Sequence, residues 1–388
     1  METIPVEETT RRVAELQERL ASVDIGLALI RQPVDLFYYT GTVMDGFLAV
    51  PAAGQPLLLV RRPQIRSAEA EFSWPLTFYK SLNEISSLLA EAGFKPLGAI
   101  GLELDVLPTA FFHRLHENIF PKQPVKDLSI FIRRQRMIKS AYEIEQLRRA
   151  AAIHDKAYGM ASELLKPGVT ELEVVAAIEY HLRRLGHQGL IRVRNPNLEV
   201  FYGHLLSGVS GLQAAYTDTH SGGLGINSAY PQGASLRKMA PGEPISIDIA
   251  SCVNGYVTDM TRMFAMESLP DLAWEAMDLV TELYRIFQAE ARPGVLPGTL
   301  YKRLWNVVKA EGFEDNFMGL GPDRVTFLAH GVGLEMDEYP LLSARFPYPL
   351  EVDMVLAFEP KFFLPGIGMI GLEDTGRITS TGVEWLHP

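Results

Sequence analysis

Apolar positions along the first third of the chain change period repeatedly. Residues 7–21 place apolar side chains at helical spacing, and short apolar runs follow: IGLALI (25–30), FLAV (47–50) and PLLLV (56–60). A second helix-like stretch around 82–92 precedes GAIGLEL (98–104). Helices alternating with short apolar runs predict a small α/β domain with a mostly buried sheet. The basic stretch RRQRMIKS (133–140) reads as a solvated linker, because charge runs are usually exposed. A long helical pattern over 141–165 follows it. The boundary is placed at residue 135, giving domains of 1–135 and 136–388.

The second domain carries a faint internal repeat. KPGVTELEVVAAIEYHLRRLG (166–186) resembles RPGVLPGTLYKRLWNVVKAEG (292–312), with Pro-Gly-Val before a helix that stops at glycine. Pro167 and Pro293 are 126 residues apart, as are Gly186 and Gly312. The shared offset of start and stop predicts two related halves, each with helices followed by antiparallel strands.

Composition narrows the class. The 36 basic and 47 acidic residues leave a formal net charge of −11, which argues against a general nucleic-acid or anionic-membrane binder. The lone cysteine, Cys252, cannot form an internal disulfide and fits a reducing compartment. The start, METIPVEETTRRVAELQERL, lacks the apolar core of a signal peptide. The expectation is a soluble cytoplasmic protein with neither nucleic acid nor membrane as partner. The first third has no phosphate loop or dinucleotide fingerprint, so the chemistry is sought in the second domain.

Two strand pairs there carry acids on otherwise apolar strands. In EPISIDIASCVNGYVTDMTRMF (243–264), Asn254-Gly255 is a two-residue hairpin signal. With those two in the loop, Val253 pairs with Tyr256 and Ala250 faces Asp259. Asp248 then shares a face with Asp259 as its diagonal neighbour, about 7–8 Å away along the backbone. In MVLAFEPKFFLPGIGMIGLEDTGRIT (354–379), Glu359 and Glu373 flank a turn near Pro365-Gly366. A three- or five-residue loop sets them opposite each other; a four-residue loop requires a bulge. Four gathered carboxylates repel unless protonated or bound to cations. Two divalent ions meet that need, and His330, in FLAHGVGLEMDEYP (327–340), is the natural nitrogen ligand, flanked by glycines that allow close backbone approach. Two ions sharing a water generate a hydroxide near neutral pH and polarise a carbonyl.

Taken together, DIASCVNGYVTDMTR, HGVGLEMDEYP, AFEP and GLEDTGRIT resemble, in order and spacing, the pita-bread metallopeptidases, the family of Xaa-Pro aminopeptidases, prolidases and the non-peptidase creatinase. RVAELQERLASVDIGLALIRQPVDLFYYTG (12–41) resembles the start of the creatinase-type N-terminal domain, and 136–157 the entry to the catalytic domain. The resemblance implies an α/β creatinase-type domain followed by an α+β pita-bread catalytic domain with pseudo-two-fold halves around an antiparallel sheet. It implies two ions (Mn, Co, Fe or Zn). Asp248 would bind one of them, Asp259 and Glu373 would bridge both, and His330 and Glu359 would complete the other. Glu359 would also accept the proton of the attacking water. A small peptide with proline second, and a homodimer, are implied with it.

Two family histidines are missing. Asp337 stands where a second histidine is usual, and Gln232, in AYPQGAS (229–235), stands at or near the histidine before the first Asp. Both are read as catalytic-site positions. Their loss predicts weak turnover on ordinary Xaa-Pro dipeptides, since losing one hydrogen-bond donor to a developing oxyanion typically costs about 10²–10³. An anionic Asp337 favours a substrate with a cationic group. The alternative function is therefore a creatinase-like C–N hydrolase or lyase acting on a small metabolite. His204 and His220 are read as loop histidines, with substitution in space as the other possibility. Arg262 is expected to pair with a ligand carboxylate, Tyr256 and Glu338 to line the cleft or serve the core or surface, and Cys252 to be a buried inert thiol.

Overall fold

A computed structural model of the chain describes residues 3–69, 72–94, 98–195 and 198–387, in two compact units, Met1–Arg136 and Met137–Pro388. In the first, α1 (Val6–Ser22) buries Val13, Leu16 and Leu20, a stripe at helical spacing. Then come β1 (Ile25–Ile30), α2 (Pro33–Thr40), β2 (Asp45–Pro51), β3 (Leu57–Arg62), α3 (Gln64–Glu69) and β4 (Leu76–Phe78). α4 (Ile85–Glu91), β5 (Ala99–Leu102), α5 (Thr109–Ile119), β6 (Val125–Asp127) and α6 (Ser129–Met137) complete the unit. The six strands form one mixed sheet, ordered β4-β3-β2-β1-β5-β6.

Residues 33–40 are helical, with Pro33 in the first turn, the Gln32 side chain accepting from Asp35 N, and Gly41 closing the end at φ +76°. The basic stretch is not a solvated linker. Arg136 and Asp35 are buried together at 2.6 Å, and Lys139 bonds Glu338 at 2.8 Å in the second unit. A charge run is solvated only where no buried carboxylate draws its members inward.

The second unit opens with α7 (Ala141–Tyr158), whose Ser140 and Glu143 form a capping box. The helical pattern expected to run to 165 breaks at Gly159 and resumes as α8 (Ala161–Leu164). α9 (Glu171–Leu185), β7 (Gly203–Ser207), β8 (Ile245–Val253) and β9 (Tyr256–Phe264) finish one half. The other half comprises α10 (Asp271–Glu290), α11 (Pro297–Ala310), β10 (Phe327–Gly331), β11 (Glu338–Ser343), β12 (Val355–Phe358), β13 (Lys361–Leu364), β14 (Gly368–Gly371), β15 (Asp374–Ile378) and β16 (Val383–Trp385). The strands pair as β7-β8-β9, as β11-β10-β12-β15-β16 and as the β13-β14 ribbon, all antiparallel.

The repeat extends to backbone conformation. Gly168 and Gly294, in the two Pro-Gly-Val turns, have φ of +82° and +88°, and the stop glycines Gly186 and Gly312 have +111° and +76°. Each half has its own apolar core, one packing α9 on β8, the other packing α10 and α11 on the larger sheet. The halves meet where Thr261 and Glu373 exchange backbone hydrogen bonds, both 3.2 Å long. Among the described residues no helix is long and apolar enough to cross a membrane.

Candidate metal centre

The first acid pair sits in the register that the Asn-Gly turn dictates: Val253 faces Tyr256, Ala250 faces Asp259, and Asp248 faces Thr261. Asp248 and Asp259 therefore share a face. In the second pair, Leu364 faces Gly368 and Lys361 faces Gly371 across a three-residue loop, while Phe358 faces Asp374 in the continuing ladder. That register sets Glu359 opposite Glu373. The two fall in the gap between β12–β15 and β13–β14, where Pro360 has no N–H to extend the ladder. His330 lies on β10, which pairs with β12 and brings it beside Glu359. Gly331 permits the tight β10–β11 approach, since a Cβ there would stand 2.3 Å from the Tyr339 carbonyl oxygen.

Ligand atoms of Asp259, His330 and Glu373 lie within 4.8 Å of one another. His330 Nδ1 donates to the Met336 carbonyl at 2.9 Å, leaving Nε2 as the ligand nitrogen, 3.5 Å from Glu373 Oε1 and 3.8 Å from Glu359 Oε1. Glu373 Oε1 is buried with no hydrogen-bond partner among the described residues. An orphaned carboxylate oxygen facing an imidazole lone pair and a second carboxylate fits a divalent cation.

The Asp248 side is different. Lys361 Nζ lies 2.9 Å from Asp248 Oδ2, 3.0 Å from Glu359 Oε2 and 3.0 Å from Glu373 Oε2. His220 Nε2 bonds Glu359 Oε2 and stands 2.8 Å from Lys361 Nζ. Thr261 Oγ1 donates to Glu373 Oε2 at 3.0 Å. Each glutamate thus turns one oxygen to the ammonium and the other to His330.

Electrostatics follow this division. Burial alone would raise the Glu359 carboxyl, but His220 and Lys361 outweigh it and hold it at about 2. Burial likewise opposes the charge on Lys361, yet Asp248, Glu373 and Glu359 push its ammonium well above the ordinary lysine value. Asp259 is driven well above the usual carboxylate range by burial and by Glu373 and Asp248, which together outweigh His330 and Lys361. His204, opposite Asp248 on β7, is lowered to about 4 by burial and stands 3.9 Å from Asp248 Oδ2.

The remaining candidates fall into place around the cluster. His220 is not a plain loop histidine: its ring is buried against Glu359. Gln232 is half-buried and accepts from Thr217 Oγ1 at 3.4 Å. Asp337 lies on the Nδ1 side of His330, 3.6 Å away, with its side chain 53% exposed. Arg262 bonds Asp374, the neighbour of the expected ligand, at 2.6 Å, and the Glu373 carbonyl at 3.0 Å. Glu338 binds Lys139 and accepts from Leu334 N and Glu335 N, while Tyr256 is fully buried against Tyr142. Cys252 is buried, and burial pushes its thiol up to about 12. Lys361 escaped the sequence reading although its signal was present, because residues two apart on a strand share a face, placing it with Glu359. His220 had no comparable signal, since its loop is aperiodic.

A model of metallopeptidase family M24 matches residues 145–380, and a creatinase/prolidase N-terminal domain model matches residues 12–138. The Xaa-Pro dipeptidase of Pyrococcus furiosus is 27% identical over 380 residues, covering 97% of each chain. That of Lactobacillus delbrueckii subsp. lactis is 26% identical over 382 residues, covering 95% of each. The crystal structure of the prolidase from Pyrococcus horikoshii OT3 superposes with a TM-score of 0.81 at 25% identity, covering 97% of this chain and 98% of that one.

Proposed function

This chain belongs to metallopeptidase family M24, and from that premise we propose that it hydrolyses the amide bond of a small peptide with proline in the second position. The observation that carries the reading is the convergence of Asp259, His330 and Glu373 on one point, with Glu373 Oε1 buried and unpartnered. Asp259, His330, Glu359 and Glu373 would hold the ion, which one imidazole among carboxylates makes Mn, Co, Fe or Zn. Such an ion supplies Lewis acidity and makes a water acidic enough to deprotonate near neutral pH.

The chain's own groups do the rest. Glu359 Oε1 faces the ion position and holds the proton taken from the attacking water. Its other oxygen is bonded to His220, whose imidazole relays that proton toward the leaving amine. This imidazole offsets part of the shortage expected from the two missing family histidines. Of the two implied ions, the one on the Asp248 side meets the Lys361 ammonium. We carry the homodimer and the cytoplasmic location as parts of the same proposal, the latter supported by the lone buried thiol.

Asp337 favours a second reading: its exposed carboxylate beside His330 suits a substrate bearing a cationic group, such as a small guanidino or amino amide. The experiment is a panel of Xaa-Pro dipeptides and small cationic amides, assayed with Mn(II) or Co(II) and after chelation. Metal-dependent cleavage of Xaa-Pro peptides is expected. Cleavage of the cationic amides alone moves the function to the second reading, and cleavage that survives full chelation overturns both.

A further inference from the structure

Lys361 is a lysine with no exposed surface in a cluster of carboxylates, an expensive arrangement unless every donor is satisfied. An ammonium has three N–H donors. Here three carboxylates, Asp248, Glu359 and Glu373, stand at 2.9–3.0 Å and take all three. His220 Nε2 stands 2.8 Å from the same Nζ and bonds Glu359 Oε2, so the imidazole closes the cluster beside the ammonium.

The stem is as fixed as the head. Lys361 begins β13, pairs with Gly371 across the ribbon, and gives its carbonyl to Met318 N at 2.8 Å. Gly371 leaves the space that the stem fills: a Cβ there would stand 2.5 Å from Lys361 Cγ. The following residues, Phe362, Phe363 and Leu364, are buried and apolar.

From this geometry we propose that the Lys361 ammonium permanently occupies one of the centre's two cation positions, so that the chain binds a single divalent ion. That ion sits among Asp259, His330, Glu359 and Glu373. Asp248 serves as a partner of Lys361 rather than as a ligand. Glu359 and Glu373 bridge between the ion and the ammonium, as bridging carboxylates do between two ions. The centre keeps two cations, but the one on the Asp248 side carries one charge instead of two and cannot exchange. It orients carboxylates and offers no open coordination position to a substrate oxygen. The proposal rests on the metal reading above and is separable from it by the number of ions bound.

The chelated protein is titrated with Mn(II), bound metal is counted by calorimetry and elemental analysis, and the loaded sample is examined by electron paramagnetic resonance. The wild type is expected to bind one ion, with the spectrum of an isolated Mn(II). Lys361→Gly, which leaves Asp248, Glu359 and Glu373 around an open space, is expected to bind two, with a spin-coupled spectrum. Two coupled ions in the wild type overturn the proposal alone; none overturns the metal reading with it. A folded Lys361→Gly protein that still binds one ion overturns the assignment to Lys361. If that variant does not fold, the wild-type count and spectrum decide.

Discussion

In the proposed centre Asp259 reaches toward His330 and Glu373 from the other half of the fold. Asp259→Asn keeps its volume but removes the charge. It is expected to weaken Mn(II) binding by more than about 100-fold, beyond what loss of an outer-shell partner costs, as calorimetry will measure. The role proposed for His220 lies at a different step. His220→Gln retains a hydrogen-bonding side chain beside Glu359 but cannot relay a proton near neutral pH. It is expected to lower kcat by about 10²–10⁴ with the bound-metal count unchanged. A variant that loses its metal instead would make His220 a structural support of the ligands. Much of the site at this scale was legible in the chain. Asp248 and Asp259 followed from an Asn-Gly turn and a period of two, because hairpin registers are set locally. Glu359 and Glu373 stayed open between loop lengths, since Pro365-Gly366 fits several turns. His220 was illegible because only the tertiary course of its loop brings it to Glu359.

That loop is held at the level of elements. The carboxylate of Glu171, in the first turn of α9, accepts from Ser207 N and Oγ, Ser210 Oγ, and Ser235 N and Oγ at 2.7–3.3 Å. Ser207 and Ser210 precede the loop bearing His220 and Ser235 follows it, so one buried acid ties both ends of the loop to a helix. Glu171→Ala leaves several buried donors unpaired. It is expected to destabilise the protein by about 3 kcal/mol or more, read from the midpoint of denaturant unfolding. A loss under ~0.5 kcal/mol would show that the loop is held elsewhere. Elements with strong periods, such as α1 and β1, were readable from sequence to within a residue or two. α2 was not, because its eight residues PVDLFYYT are too few to show a helical period and its stop signal, Gly41, also ends strands. The linker reading of 133–140 failed for a related reason: a pattern of charges does not say that Asp35 and Glu338 are waiting for Arg136 and Lys139.

Across the whole molecule, buried neutral histidines set a lower pH limit on stability. His154 and His387 pack with ring centroids 5.6 Å apart, and burial holds His154 well below the ordinary histidine value and His387 at about 4. His187 is also lowered to about 4, again by burial. The unfolded chain takes up these protons near pH 6.5, whereas the folded chain resists them down to about pH 4. Between those values the unfolded state binds more protons, so stability falls as pH falls through that window. The melting temperature is expected to drop steadily from pH 6.5 to 4, with a shallower slope in His187→Asn. Equal slopes in the two proteins would remove His187 from this account. At this scale the sequence supplied the two-half architecture through a 126-residue offset between Pro-Gly-Val turns and between stop glycines, whose positive φ values recur in both halves. What occupies the junction of those halves was signalled only by Lys361 lying two residues from Glu359 on one strand face, and the tertiary fold then places its ammonium among three carboxylates. The most direct measurement is anomalous diffraction from crystals grown with Mn(II), which locates each ion by its own scattering. One peak is expected among Asp259, His330, Glu359 and Glu373, with lysine density and no anomalous signal beside Asp248. No peak at His330, or a second peak on the Asp248 side, would contradict the account.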